Sequence, residues 1–123
     1  MSAEKDVPDP PSASHVYMLD YLMRLQKNMP QQLLLSIGEI NIIRLSSFIA
    51  GYRACQSING IQDNGYTLFR SWLRDVKAEF PTDGWDKKYL HDCGGDHERA
   101  IHKFLGFVAE FVALRDRASQ SHD

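Results

Sequence analysis

The feature that most constrains this chain lies in its second half, where Phe69, Trp72, Leu73, Val76 and Phe80 recur three and four residues apart before Pro81. That spacing puts them on one face of a helix, which a proline cannot continue because it lacks the N–H to donate. Thr82-Asp83-Gly84 reads as a turn, with Asp83 capping a short helix from Trp85 to about Asp92 that buries Trp85, Tyr89 and Leu90. Gly94 or Gly95 supplies a left-handed exit, and Asp96 restarts the chain as the N-cap of a last helix. Glu98 in its first turn and Arg115 and Arg117 near its other end suit the helix dipole. Between Ile101 and Leu114 nearly every position is apolar, Glu110 being an exception, so this helix is expected at the centre of the fold, contacted from several sides. Helices of this kind bury their apolar faces against one another. The predicted fold class is therefore all-α, a compact bundle of about five helices in a single domain.

The first half fits the same plan. Residues 1–14, with Pro8, Pro10, Pro11 and three serines among acids, have too little apolar surface to fold and read as a disordered lead-in. The helical domain is expected over residues 15–118, with a frayed tail at 119–123. Val16, Leu19, Leu22 and Met23 predict a helix from His15 to about Asn28, stopped by Pro30. Ser36-Ile37-Gly38-Glu39 has the form of a capping box and predicts a second helix to about Gln56, burying Ile40, Ile43, Leu45, Phe48, Ile49 and Tyr52. Gly51 inside it costs roughly 1 kcal/mol relative to alanine, so it is either tolerated or marks a close helix crossing. Residues 57–65 hold two Asn-Gly dipeptides and read as a loop, after which Asp63 or Asn64 caps the third helix.

Composition narrows the function. A net charge of −2 over 123 residues supplies no field able to gather nucleic acid. The N-terminus lacks the apolar stretch of a signal peptide, and no segment approaches the roughly 18 apolar residues of a membrane span, which together predict a cytoplasmic protein without a membrane partner. Cys55 and Cys93 form no Cys-x-x-Cys pair and are expected as reduced thiols. The phosphate-binding loops, the Gly-x-Ser-x-Gly elbow and the His-Glu-x-x-His helix are all missing. His91-Asp92-Cys93, Asp96-His97 and His102 place several metal-binding side chains close together, but at the spacing of no standard zinc motif. Asp96 is better used as a cap and Cys93 as a small buried thiol. No metal, cofactor or catalytic residue is assigned, and the alternative kept open is a small metal-dependent or acid/base enzyme using His91, Asp92, Asp96 and His97. Tyr66, Phe69, Arg70, Trp72 and Arg74 interleave rings with bases, but at the spacing of core residues with solvated charges between them, so direct nucleic-acid binding is not expected. Asp75, Glu79, Asp83, Asp86, Asp92, Asp96 and Glu98 crowd one stretch and read either as a solvated mixed-charge surface or as a surface for a basic partner.

Four elements of the chain carry a resemblance: Ile42, Leu45, Phe48, Ile49, Gly51 and Tyr52; Phe69-x-x-Trp72-Leu73; Gly84-Trp85; and Cys93-Gly94-Gly95-Asp96 with Ala100, Ile101, Phe104 and Leu105 after it. Over residues 29–114 the chain resembles small helical bacterial immunity proteins of contact-dependent growth inhibition and other polymorphic toxin systems. Where members carry Arg-Pro-Gly-Met-Tyr-Leu-Gly, this chain reads Met29-Pro30-Gln31-Gln32-Leu33-Leu34-Leu35 and keeps the proline. The resemblance implies a non-enzymatic inhibitor that binds a toxin's C-terminal domain, often a basic nuclease, and blocks its active site or substrate surface. Charge complementarity to such a partner points to Asp83, Trp85, Asp86, Tyr89, Asp92 and Glu98 as contact residues, with the aromatic side chains as anchors. A helical adaptor with an unrelated protein partner is the remaining reading.

Overall fold

The computed structural model describes residues 15–78 and 84–120, and among them the chain forms six α-helices and no strand. They are α1 (Met18–Lys27), α2 (Gln31–Ile37), α3 (Ile42–Ile58), α4 (Asn64–Asp75), α5 (Trp85–Asp92) and α6 (His97–Gln120). The fold is all-α, as predicted, and packs as one compact domain around α6, which touches α1, α3, α4 and α5.

The helix missing from the sequence reading is α2. Pro30 does stop α1, but it also stands at the N-terminal boundary of α2, where a proline's missing N–H goes unmissed. α2 buries Leu33 and ends at Gly38, whose φ of 85° only glycine adopts readily. That left-handed residue breaks the expected capping box. Ser36 lies inside α2, where its hydroxyl donates to the Gln32 carbonyl at 2.9 Å and is also bonded to the Tyr21 hydroxyl. The cap of α3 is Asn41 instead, its Oδ1 accepting the Arg44 N–H at 3.0 Å, while Glu39 accepts from the Asn41 side chain at 3.0 Å.

α3 buries Ile42, Leu45, Ile49 and Gln56. Ile40, Ile43, Phe48 and Tyr52 pack against the core only half-buried. An added Cβ at Gly51 would meet nothing within 4 Å, so no helix crosses there and the glycine is simply tolerated. α4 starts at the predicted cap, Asp63, but stops at Asp75. The Val76 and Lys77 N–H groups both bond to the Trp72 carbonyl and Ala78 takes a φ of 54°, so the helix unwinds and leaves Val76, expected in the core, 67% exposed. Phe80 and Pro81 lie outside the described residues.

α5 has its predicted limits, although its N-cap position is held by Gly84 at φ 76° with no side-chain cap, and Asp83 lies outside the described residues. The central place expected of α6 holds for its first half, where Ala100, Ile101, Phe104, Leu105 and Val108 are buried. Beyond Val112 the helix overhangs the bundle, with residues 113–119 exposed. An aromatic cluster joins α4, α5 and α6: the Phe104 ring stacks on Trp85 at 4.3 Å and meets Phe69 edge-on at 6.0 Å, and Phe111 lies 5.5 Å from Trp72. Among the described residues no single helix is long and apolar enough to cross a membrane.

Candidate functional site: the corner between α5 and α6

The segment Cys93-Gly94-Gly95-Asp96 folds into a tight corner. As α5 ends, the Cys93 N–H reaches the Tyr89 carbonyl at 3.0 Å and the Gly95 N–H reaches the Leu90 carbonyl at 2.8 Å. These bonds need Gly94 at φ 66° and Gly95 at φ 85°, a conformation in which a Cβ is strained. Asp96 then caps α6 as predicted, its Oδ1 accepting the Arg99 N–H at 3.1 Å. The next residue ties the corner to the rest of the bundle: His97 Nδ1 accepts the Ile42 N–H at 3.1 Å, satisfying a donor at the start of α3 that has no partner within its own helix. Nδ1 must carry no proton to do this.

The predicted contact residues separate on this scaffold. Trp85 is half-buried, with one face against Phe104. Tyr89 is 0% exposed and Asp86 8%, so neither offers the surface expected of an anchor or a charged contact. The reason is geometric. α5 makes only two turns, and residues four apart, Trp85 and Tyr89, both face α6, where Tyr89 meets the rings of Phe104 and Phe107. Asp86 lies in the first turn of α5, where a carboxylate complements the helix dipole. Asp92 and Glu98 are exposed, whereas Asp83 lies outside the described residues.

Among the described residues the acids crowded along the sequence do not form an acidic patch. Asp92 is shared by Lys88 at 2.7 Å and Lys103 at 3.4 Å, and the hydrogen bond from Lys88 is the first cause holding its carboxyl below the ordinary range. Asp75 is on α4, paired with Arg74 at 2.8 Å, and Glu98 lies 3.9 Å from His102. The described residues hold 13 lysines and arginines against 10 aspartates and glutamates, and two of those acids, Asp63 and Asp86, are buried. The corner is a mixed-charge surface, with Lys87, Lys88, Arg99 and Lys103 among its acids.

The histidine cluster divides in the same way. Among the described residues no three His, Cys, Asp or Glu side chains are grouped so that they could hold a metal ion. His97 is turned to α3, Asp96 to the N-terminus of α6 and Asp92 to two lysines, while His91 is exposed.

A second polar centre, where α1, α3 and α4 meet, was not marked in the sequence beyond a helix cap. Asp63, 7% exposed, accepts the Met18 N–H at 2.7 Å and the Gln56 amide at 2.9 Å through Oδ2, and the Tyr66 N–H at 3.4 Å through Oδ1. Gln56 Nε2 also lies 3.1 Å from His15 Nε2. The Tyr66 ring beneath carries Arg53 at 4.7 Å. Burial pushes the Tyr66 hydroxyl up to about 12, against the opposing pull of Arg70 and Arg53. A tyrosine whose pKa is raised on folding contributes stability that is present in full below its unfolded value of about 10 and is lost as pH rises through its folded value. Unfolding free energies from urea denaturation are therefore expected to fall between pH 9 and pH 12, by about 2–3 kcal/mol from this residue alone. Tyr66→Phe should flatten that fall, and an unchanged alkaline slope in the variant would rule Tyr66 out as its source.

No protein-family model, curated protein or solved structure matches this chain.

Proposed function

We propose that this chain is an immunity protein that binds and neutralises the C-terminal toxin domain, a nuclease, of a contact-dependent inhibition or related toxin system, acting in the cytoplasm without catalysis of its own. The observation that supports it is the form taken by Cys93-Gly94-Gly95-Asp96, the most specific element of the resemblance. It is an outward corner held by backbone hydrogen bonds, with Asp92 before it, Glu98 after it and half-exposed Trp85 on the same helix as Asp92. A surface already ordered before binding loses little conformational entropy on docking, which favours affinity for a given contact area. Trp85 is the aromatic anchor in this reading, Asp92 and Glu98 are the charges that face a basic toxin, and Asp83 stays in the proposed contact set. Inhibition follows from occupying the toxin's active face.

The test is co-expression with the C-terminal domain encoded by the adjacent upstream gene, scoring cell survival and recovery of a one-to-one complex. Survival with a stable complex is expected; death without a complex, from a toxin shown to be active, would overturn the function. Asp92→Lys combined with Glu98→Lys then probes the surface, since both residues are exposed; because Asp92 also pairs with Lys88 and Lys103, the melting temperature of the free variant is measured alongside to establish that it is folded. The double variant is expected to weaken the complex by about tenfold or more, chiefly through slower association at low salt. Undiminished binding would move the interface elsewhere on the bundle while leaving the immunity reading intact.

A further inference from the structure

The end of α3, the loop after it and the start of α4 bound a depression of about 520 Å³. Its walls are mostly polar: Arg53 and Ser57 come from α3, Gln62 from the loop, and Asn64 and Thr67 from α4, with Ile61 the one large apolar side chain beside them.

Arg53 is the one lysine or arginine in these walls, and no carboxylate is paired with it among the described residues. Its guanidinium sits 4.7 Å from the centroid of the Tyr66 ring, and its Nη2 donates to Thr67 Oγ1 at 3.3 Å, so two contacts hold the fork at the rim of the depression. Its Nη1 is buried with no hydrogen-bond partner. A donor that has given up water without replacement calls for an acceptor. The one carboxylate in the walls, Asp63, cannot supply it, because its oxygens already accept the Met18 N–H, the Gln56 amide and the Tyr66 N–H.

We propose that this depression binds a small hydroxyl-bearing carboxylic acid in its ionised form. The carboxylate goes to Arg53, whose planar fork matches two oxygens and whose Nη1 gains the acceptor it lacks. Cation–π attraction holds out to about 6 Å from a ring centroid, so the guanidinium can slide over Tyr66 and turn Nη1 toward the ligand without leaving the ring. One guanidinium balances one negative charge, and Asp63 in the same wall disfavours a second, so a carboxylate fits where a phosphate dianion does not. The volume lies within the range of small-molecule sites, and Ser57, Gln62 and Asn64 offer hydroxyl and amide groups to the hydroxyls of the ligand's body. The site lies apart from the α5–α6 corner and does not rest on toxin binding.

The test uses gluconate, acetate and glucose as separate probes, read by amide chemical shifts of the whole chain at neutral pH and low salt. Gluconate is expected to bind saturably with a Kd of about 1 mM or tighter, moving the amides of Ser57, Gln62, Asn64 and Thr67 together. Acetate should bind at least about tenfold more weakly, and glucose should give no saturable response. Arg53→Gln should abolish gluconate binding, with the melting temperature of the free variant measured alongside because Arg53 also rests on Tyr66. Asn64→Asp gives a second reading that leaves the core untouched: Asn64 is exposed in the first turn of α4, where a carboxylate suits the helix dipole, and the added charge should lower gluconate affinity at least about tenfold. No saturable response to gluconate, or an undiminished one in either folded variant, would overturn the site. Acetate binding as tightly as gluconate would overturn the role of the polar walls, and glucose binding as tightly would overturn the role of Arg53.

Discussion

Phe104→Ala is expected to lower the unfolding free energy by about 3–5 kcal/mol, the range for deleting a ring from a packed core. The Phe104 side chain is almost fully buried and is the ring on which α4 and α5 converge, stacked on Trp85 at 4.3 Å and edge-on to Phe69 at 6.0 Å. Its removal leaves a void among rings that backbone geometry keeps apart, because α5 is anchored at one end by the glycine corner. A natural domain has about 5–15 kcal/mol in total, so the variant should lose a large part of its margin and melt roughly 10–20 °C lower. Urea denaturation checks the magnitude. Trp85 fluorescence gives an independent reading, since the indole loses its stacked neighbour, and Val76→Ala serves as an exposed control that should shift stability by no more than about 0.5 kcal/mol. A loss below about 1 kcal/mol in Phe104→Ala would mean that the aromatic cluster does not hold α5 to the bundle.

Asp63→Ala is expected to cost about 3 kcal/mol, although the residue contributes almost nothing to the apolar core. Its carboxylate receives the Met18 N–H, the Gln56 amide and the Tyr66 N–H, which belong to the start of α1, the end of α3 and the start of α4. Alanine leaves all three donors without an acceptor in a buried place and removes a helix cap, losses of about 1–3 kcal/mol for each buried unsatisfied group and about 1 kcal/mol for the cap, offset where water enters. Asp63→Asn should recover roughly half, because one amide oxygen can still accept from Met18 and Gln56 while the NH₂ group faces the Tyr66 N–H. Amide hydrogen exchange separates a joint from a local cap: Met18 and Tyr66 should lose protection together. If only Tyr66 and its neighbours exchange faster, Asp63 caps α4 and does not join three helices.

The sequence carried much of this fold because helix signals are local. The apolar spacing of α4, the limits of α5, the left-handed glycines and the Asp96 cap all depend on residues within a turn or two of each other, and the structure has them where they were expected. The misses share one cause. Ser36-x-x-Glu39 is a sound local pattern, but Gly38 between them takes a left-handed turn that ends α2, and a seven-residue helix after a proline leaves too short an apolar period to recognise. Val76 follows the period of its helix, yet the chain unwinds beneath it and leaves it in solvent.

For the candidate site, residue type was legible and orientation was not. Periodicity told that Trp85 and Tyr89 share a face; which face meets α6, and therefore that Tyr89 is core, is decided by packing. The acids of residues 75–98 are neighbours in sequence, but among the described ones Asp75 and Asp92 meet basic partners, Asp86 is buried in the first turn of α5 and Asp96 caps α6, so these acids do not add up to a field. The sequence by itself determined that this protein is an all-α domain with a glycine-built corner before a long apolar helix, because helix propensity, capping and left-handed turns act over a few residues. Only the tertiary structure decided that Asp63, beyond capping α4, also receives the Met18 N–H of α1, that His97 reaches back to Ile42, and that Arg53 covers Tyr66 beside a polar groove, because those contacts bring together residues 13 to 55 positions apart and no local pattern encodes which of them will meet.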